Sequence, residues 1–274
     1  MREGALRKNA TRAVMYIFLI AVSLISVFPL YWSFISAFNN TQQILGGWLL
    51  PSTHLLKNLQ HLFEQHNVVR ALKNSFATTL LQTFAALAVS SIAGYGFEIY
   101  HDKAKDTVMA ILMLAMMVPF VAVLVPLFQM FTKAKLINSW TGFILPSIAT
   151  PFLIMYFRNS ARSFPRDTLE AARIDGLNEF QIFIRMFIPM MKPTYASAAT
   201  ITFMGAWNAY LWPKVVMQTN EAITMPMLVA NTMGGYVIDY GVVMAAVTIC
   251  SLPTVIIFFC LQKSFTNAVA GAVK

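Results

Sequence analysis

Residues 13–38 read AVMYIFLIAVSLISVFPLYWSFISAF, a run that contains no Asp, Glu, Lys, Arg or His. A bilayer core about 30 Å thick is crossed by about 20 helical residues. The run is therefore long enough and apolar enough to predict a membrane-spanning helix rather than a buried helix of a soluble domain.

Five further stretches have the same composition, and none of the six contains an acidic residue, Lys, Arg or His. The predicted spans are Ala13–Phe38, Ser75–Phe97, Thr107–Phe131, Ser139–Phe157, Pro193–Trp212 and Val242–Leu261. Prolines lie inside four of the spans, and membrane helices tolerate them where neighbouring groups satisfy the freed backbone. We therefore predict an all-α integral membrane protein in which residues 1–274 form one transmembrane domain with a shaped interior.

The composition of the whole chain supports this class. Of the 274 residues, 58% are hydrophobic and only 11% are charged, whereas soluble domains carry about 25% charged residues. This composition excludes an ordinary soluble enzyme and a disordered chain. A net charge of +9 would suggest a nucleic-acid partner for a soluble domain, but here the basic residues lie between apolar stretches.

The distribution of Lys and Arg predicts the orientation, because cytoplasmic loops are richer in these residues. If the N-terminus is inside, the inside segments carry 14 of the 20 basic residues and the outside segments carry six. The inside segments are then 1–12, 98–106, 158–192 and 262–274. We predict that both termini face the cytoplasm.

The inside segment 158–192 carries the most local information. It reads RNSARSFPRDTLEAARIDGLNEFQIFIRMFIPMMK. Ser163 followed by Pro165 is a helix-start signal, and Gly176 is suited to a left-handed position that ends a helix. Asn178 with Gln181 three residues later predicts a capping box and a second helix. The segment is thus expected to form two short helices joined by a glycine.

The first of these helices has an apolar side formed by Leu169, Ala172, Ile174 and Leu177. Such a helix is typical of a segment that lies on lipid headgroups. It is also typical of a rigid helix that sits in a groove of a partner protein, and the adjacent alanines Ala171 and Ala172 would allow a close approach. Composition alone does not separate these two alternatives.

One motif in this segment resembles the EAA motif of ABC importer permeases, whose pattern is E-A-A-x3-G-x9-I-x-L-P. The residues Glu170-Ala171-Ala172, Gly176 and Pro189 match the pattern at its fixed spacing. Met186 and Ile188 replace the usual Ile and Leu and keep both positions apolar. The extension through Ile174 and Asp175 is similar to the carbohydrate-uptake branch, which includes the permeases of the maltose transporter.

The resemblance to this branch covers nearly the whole chain. It includes Asn74-Ser75 at the start of the second span and residues 207–213, WNAYLWP, at the end of the fifth. The tail at residues 270–274, AGAVK, resembles the ending of the six-helix permease of these heterodimers without the final glycine often found there.

The resemblance implies that this chain is the permease of an ATP-driven sugar importer in the cell membrane of a bacterium or archaeon. It implies a second homologous permease, a pair of ATP-binding subunits and an extracytoplasmic solute-binding protein as partners. Segment 163–189 would couple the permease to an ATPase subunit. The residues assigned to this coupling are Glu170, Ala171, Ala172, Asp175 and Gly176.

The chain lacks the P-loop sequence G-x-x-x-x-G-K-[ST], whose backbone N–H groups cradle phosphates. We therefore predict that it is not an enzyme and binds no cofactor, and that ATP and Mg²⁺ are used by the partner ATPase. The absence of ionisable residues from the spans argues against an ion-coupled secondary carrier or a membrane-embedded enzyme and favours a neutral solute. An importer permease for a non-sugar solute is the closest alternative.

The substrate pathway is less clearly marked. The polar and aromatic candidates within the spans are Gln82, Gln129, Trp207, Asn208 and Tyr210. The glutamines are more typical of hydrogen bonds between helices than of ligand contacts, and Trp207 and Tyr210 are more typical of anchors at the membrane interface.

Three histidines, His54, His61 and His66, lie in the outside segment 39–74. They lack the H-E-x-x-H spacing of a zinc site, and we predict no metal site. A close contact between helices is one interpretation of Gly94 and Gly96 near the end of the second span.

Overall fold

The computed structural model describes the backbone of residues 2–271 and the side chains of residues 11–260. All regular structure in these residues is helical, as the sequence predicted. The α-helices are α1 (Arg2–Ser36), α2 (Thr41–Leu45), α3 (Leu55–Gln65), α4 (Val68–Ile99), α5 (Lys103–Ala115), α6 (Phe120–Lys133), α7 (Trp140–Ile144), α8 (Pro151–Ala161), α9 (Arg166–Ile174), α10 (Glu179–Ile182), α11 (Ile188–Met190), α12 (Lys192–Trp207), α13 (Leu211–Val216), α14 (Met225–Thr232) and α15 (Tyr240–Gly271). A 3₁₀ turn follows α7 at Leu145–Ser147, and a π-helical segment follows α10 at Phe183–Phe187.

Three of the described helices are long and apolar enough to cross a membrane by themselves. They are Thr11–Ser36 of α1, Val68–Ile99, and Tyr240–Cys260 of α15. Two further pairs reach this length only as bent spans, with α5 and α6 at 99° and the α7 segment and α8 at 51°. The described residues therefore hold three candidate spans, or five if each bent pair counts as one.

Prolines mark both of these breaks. Pro119 directly precedes α6 and Pro151 is the first residue of α8, positions at which a missing N–H leaves no intrahelical bond unmade. Pro29, Pro126 and Pro253 lie inside continuous helices. The sequence predicted prolines inside spans but did not indicate which of them would interrupt a helix.

The fifth predicted span differs most from the structure. Residues 193–212 contain α12, which has 16 residues, and the chain breaks before α13 begins at Leu211. Sixteen helical residues extend about 24 Å, which is shorter than a bilayer core of about 30 Å. The six-span count and the orientation of the termini therefore stay predictions.

The segments predicted as outside loops also contain helices. Residues 39–74 include α2, α3 and the first turns of α4, and residues 213–241 include α13 and α14. The last three residues of the tail resemblance, 272–274, lie outside the described residues.

The chain divides into two compact units. One unit contains the residues up to Asn67 together with Val229–Ser251. Its buried polar centre is Asn58, whose amide nitrogen donates to the carbonyl oxygens of Ala37 at 2.8 Å and Asn39 at 3.0 Å. These bonds satisfy backbone groups just after α1, where the helix has left carbonyls without intrahelical partners.

The other unit contains Val68–Leu228 and the chain from Leu252 onward. Within it α4 packs against α8 and α12 along a stripe of small and polar side chains. The approach is closest at Gly94, where an added Cβ would lie 2.6 Å from the Cβ of Phe157. At Gly96 an added Cβ would meet nothing within 4 Å. The predicted close contact is thus confirmed for Gly94 and wrong for Gly96.

The beginning of α4 fastens the segment before α14 in the same unit. The Asn74 amide nitrogen donates to the carbonyl oxygens of Glu221 at 2.7 Å and Ile223 at 3.0 Å. The Ser75 hydroxyl accepts the Met225 N–H at 2.7 Å. Buried backbone groups of an irregular segment need such partners, so these two side chains fix the path of residues 221–225.

Candidate functional site

The two predicted short helices of the inside segment are α9 and α10. The Ser163 hydroxyl donates to the Ser160 carbonyl. The N-cap residue of α9 is Pro165, so the helix starts at Arg166 without a side-chain cap. Gly176 has φ of +79°, and the Leu177 N–H donates to the Ala172 carbonyl at 3.0 Å, which closes the end of α9. The predicted left-handed glycine is therefore confirmed, because this conformation is costly for residues with a Cβ.

The predicted capping box is also confirmed. The Asn178 side chain accepts the Gln181 N–H at 2.9 Å, and the Gln181 side chain accepts the Asn178 N–H at 3.0 Å. These reciprocal bonds satisfy two N–H groups at the start of α10. The turn between α9 and α10 is thus determined locally on both sides.

The apolar side of α9 is divided between the chain's own core and solvent. Leu169 and Ala172 are buried in a cluster with Tyr95, Phe183 and Phe187. Ile174, by contrast, is 86% exposed. The apolar side of α9 therefore packs inward at Leu169 and Ala172 and is uncovered at Ile174.

Four of the five predicted coupling residues are exposed. Glu170, Ala171, Asp175 and Gly176 line the uncovered side and the end of α9, whereas Ala172 is 2% exposed and faces the core. Ala172 therefore allows the close approach of a segment of the same chain.

An aromatic cluster fastens the segment after α9 to the end of α4. The ring of Tyr95 lies 5.2 Å from that of Phe183 and 4.9 Å from that of Phe187, both in edge-to-face geometry. Phe164, just before α9, lies 5.6 Å from Phe187. Such pairs stabilise packing beyond their buried area by about 0.5–1.5 kcal/mol each, so α9 is attached to α4 at its N-terminal side.

An ion pair connects the C-terminal end of α9 to the start of α10. The Arg173 guanidinium donates from Nε to Glu179 Oε1 at 2.7 Å, across the turn at Gly176. Hydrogen bonding from Arg173, and next from Tyr100, holds the pKa of the Glu179 carboxyl below its usual range. Burial and the hydrogen bond to Glu179 raise the pKa of Tyr100 in turn. These three side chains join α9, α10 and the turn after α4.

A second ionic group joins the 98–106 turn to the end of α8. Arg158 is 6% exposed, and its guanidinium donates to Glu98 Oε2 at 3.4 Å and Asp106 Oδ1 at 2.5 Å. The exposed Arg162 donates to the same oxygen of Glu98 at 3.3 Å. Sequence analysis missed this group because it treated Lys and Arg as orientation signals. Three acidic residues in the short inside segment 98–106 were the available sign of paired charges.

Removing Arg158 is expected to destabilise the chain much more than removing Arg162. An Arg158→Met variant leaves the poorly exposed Glu98 without its buried partner, which costs about 3–5 kcal/mol for a buried pair. The exposed pair lost in Arg162→Met contributes about 0–1 kcal/mol. The midpoint of thermal unfolding in detergent measures both, and equal midpoints for the two variants would contradict the assigned role of Arg158.

The predicted substrate-pathway residues do not come together. Gln82 lines a cavity of about 270 Å³, whereas Gln129 is exposed elsewhere on α6. Trp207 is 1% exposed and its ring lies 4.8 Å from that of Phe76, so it packs inside the unit. The Asn208 amide donates to the Met204 carbonyl at 2.9 Å, and Tyr210 is 42% exposed.

Among the described residues, no group of three or more His, Cys, Asp or Glu side chains is placed to hold a metal ion. His54 lies beside the Ser52 hydroxyl at 2.9 Å, and His61 lies 3.8 Å from Asp239.

The chain matches a known protein family. Residues 86–271 match the family described as the binding-protein-dependent transport system inner membrane component. The matched region covers more than half of the chain and includes α9 and the EAA-like motif.

The chain belongs to this family. As a member, it is a transport permease of a membrane and not an enzyme, and its several apolar helices agree with a multi-pass protein. The resemblance based on the EAA-like motif is thereby confirmed.

Relatives within the family are similar over almost the whole chain. The lactose transport system permease protein of Rhizobium radiobacter is 39% identical over 269 residues, which is 98% of each chain. The arabinooligosaccharides transport system permease protein of Bacillus subtilis is 31% identical over 96% of each chain. The sn-glycerol-3-phosphate transport system permease protein of Yersinia pestis is 28% identical over 94% of this chain and 96% of its own.

Two solved structures share the fold of this chain. A chain of a bacterial ABC transporter involved in the import of the acidic polysaccharide alginate superposes with a TM-score of 0.81, at 20% identity. The superposition covers 94% of this chain and 97% of that one. The methionine ABC transporter superposes with a TM-score of 0.56 over 72% of this chain.

Proposed function

We propose that the chain is the membrane-spanning permease subunit of an ATP-driven importer of a sugar or oligosaccharide. The observation that carries the proposal is the 39% identity, over 98% of both chains, to a permease named for lactose transport. In this function the chain crosses the cell membrane six times with both termini inside, and it shares one alternating-access pathway with a second homologous permease.

The energy source in this proposal is a pair of separate ATP-binding subunits that use ATP and Mg²⁺. The exposed side of α9, with Glu170, Ala171, Asp175 and Gly176, sits in a cleft of one ATPase subunit. Closure of the ATPase moves α9, and the aromatic cluster around Tyr95 and Phe187 transmits that movement to α4. The rigid attachment of α9 at both ends supports this role, because a loosely held helix would absorb the movement.

A solute-binding protein delivers the substrate on the opposite side. The segment between α14 and α15 carries the two most exposed large apolar side chains of the described residues, Tyr236 and Val237. An exposed apolar loop of this kind supports contact with a partner protein. We assign this loop to the solute-binding protein.

A permease for a non-sugar solute is the second candidate, favoured by the relative named for sn-glycerol-3-phosphate transport. Its lower identity, 28%, makes it the weaker candidate.

Purification of the tagged chain from its native membrane, followed by mass spectrometry, tests the proposed function. We expect a P-loop ATPase and a second permease of similar size to copurify, and uptake by the reconstituted assembly to require ATP and a solute-binding protein. A chain that purifies alone even after crosslinking from α9, or that transports without ATP, would overturn the proposal.

The stabilising effect of the Arg173–Glu179 ion pair is expected to be independent of pH across the neutral range. Because the pKa of Glu179 is lowered in the folded chain, its stabilising effect is complete above the ordinary value of 4.5 and is lost only as pH falls through the lowered value. The ratio of ATP hydrolysed to sugar imported should rise in a Glu179→Gln variant by the same factor at every pH from about 5.5 to 8. A factor that changes across this range would show that Glu179 titrates there.

A further inference from the structure

The cavity beside Gln82 lies at a break in a helix pair. It is lined by residues of α4, of α12, and of the chain around the 51° bend between the α7 segment and α8. Irregular backbone at membrane depth is tolerated where it is buried in protein or lines a water-filled cavity. Transporters place binding sites at interrupted helices of this kind.

Four polar side chains line this cavity. They are Gln82, Ser147, Thr150 and Thr202. Ser147, Thr150 and Thr202 are half-buried, and Gln82 is buried. Thr150 directly precedes α8 but its hydroxyl does not cap the helix.

Of these four side chains, Gln82 is the strongest indication of a binding site, because it is 8% exposed and lies near the midpoint of α4. A carboxamide at this depth needs hydrogen-bond partners, and the cavity that Gln82 lines has room for a ligand that supplies them. A carboxamide offers two donors and one acceptor oxygen, which suits a hydroxyl group that both donates and accepts.

The other residues that line the cavity indicate the chemical class of its ligand. Phe143, Phe152 and Trp212 supply aromatic surface, and the Trp212 ring is fixed because its Nε1–H donates to the Gly142 carbonyl at 3.0 Å. No lining residue is Asp, Glu, Lys, Arg or His, so an anionic ligand would find no opposite charge and would lose its hydration. A mainly apolar pocket with a few convergent polar groups is typical of small-molecule sites.

We propose that this cavity is a binding subsite for one ring of a neutral, hydroxyl-rich ligand, held by Gln82 with the hydroxyls of Thr150 and Thr202. Its volume of about 270 Å³ is slightly below the range of about 300–1,000 Å³ for larger ligands, which fits a single sugar ring. The inference rests on the proposed import of carbohydrate. It adds that this subunit itself holds the sugar during transport and that phosphorylated or carboxylated sugars are rejected there.

The test uses the assembled transporter in proteoliposomes with its solute-binding protein. The probes are radiolabelled lactose, arabinobiose and maltose as neutral sugars and sn-glycerol 3-phosphate as an anion. For the neutral sugar that the wild type imports fastest, Gln82→Leu is expected to lower uptake at least tenfold, since it removes hydrogen bonds while keeping a similar volume. ATP hydrolysis stimulated by the solute-binding protein should stay within twofold.

A matched control and a second variant keep the test decisive. Gln65→Leu makes the same change on the exposed end of α3, and it should leave uptake within twofold. The double variant Thr150→Val with Thr202→Val removes only the two hydroxyls and should lower uptake at least fivefold. If Gln82→Leu does not assemble, this double variant decides the result.

Each outcome separates the subsite from the proposed function. Wild-type import of a neutral sugar with unchanged rates in both cavity variants would overturn the subsite and leave the sugar importer intact. Faster wild-type import of sn-glycerol 3-phosphate than of any neutral sugar would overturn the ligand class. Absence of ATP-dependent import of all four probes would overturn both.

Discussion

Replacing Gly176 by valine is expected to leave the chain in the membrane but to reduce uptake to background. Gly176 has φ of +79°, and a β-branched residue in this left-handed conformation costs about 1–3 kcal/mol. The chain relieves this strain by changing the backbone at the end of α9, which breaks the bond from the Leu177 N–H to the Ala172 carbonyl. The angle of α9 then changes, and movement of the ATPase no longer reaches α4. Uptake by proteoliposomes and the amount of protein in membranes measure the two effects.

Gly47 provides a matched control for this variant. It also has a positive φ, of +72°, and an added Cβ at either glycine would meet nothing within 4 Å. Gly47→Val therefore introduces similar backbone strain outside the α9 segment, and uptake should stay within about twofold of the wild type. Equal loss of uptake in both variants would attribute the effect to strain in general. Normal uptake by Gly176→Val would contradict the coupling role of α9.

Replacing Gly94 by valine is expected to give a large loss of stability. An added Cβ would lie 2.6 Å from Phe157 Cβ, 2.7 Å from the Arg158 nitrogen and 2.9 Å from the Ile154 carbonyl oxygen. Two of these atoms belong to the backbone of α8, so the contact is relieved only if α4 and α8 separate. Overpacking of this kind costs about 1–3 kcal/mol or more, and displacement of the buried Arg158 adds to it.

The measurement is the midpoint of thermal unfolding in detergent. A loss of at least about 3 kcal/mol corresponds to a fall of roughly 6–12 °C for a chain of this size. Gly96→Val is the control two residues away, where an added Cβ meets nothing within 4 Å. Because valine has a higher helix propensity than glycine, the control should retain the wild-type midpoint or exceed it. Equal midpoints for the two variants would contradict the packing of α4 against α8.

Much of the candidate coupling site could be predicted from residues that determine their own backbone. Gly176 ends α9 because its left-handed conformation excludes most other residues, and Asn178 with Gln181 starts α10 through bonds between near neighbours. Local effects of this kind need no tertiary contact. The sequence placed Ala172 on the apolar side of this helix but did not predict that the chain's own core would cover it, because composition does not state what an apolar side contacts.

The positions at which the helices are interrupted could not be predicted from the sequence pattern alone. Six prolines, including Pro29 and Pro126, looked equivalent inside apolar stretches, yet among the described residues the two bent helix pairs break near Pro119 and Pro151. Whether a proline bends a helix depends on the packing that compensates the lost hydrogen bond. The cavity beside Gln82 arises from one of these bends.

The sequence by itself determined that the chain is an all-helical membrane protein and that it carries an EAA-like segment, because apolar length and motif spacing are local properties. Only the tertiary structure decided that Gln82 lines a cavity while Gln129 does not, and that Arg158 is held between Glu98 and Asp106. Burial and pairing depend on neighbours that are distant along the chain, and a single sequence does not state which residues these are.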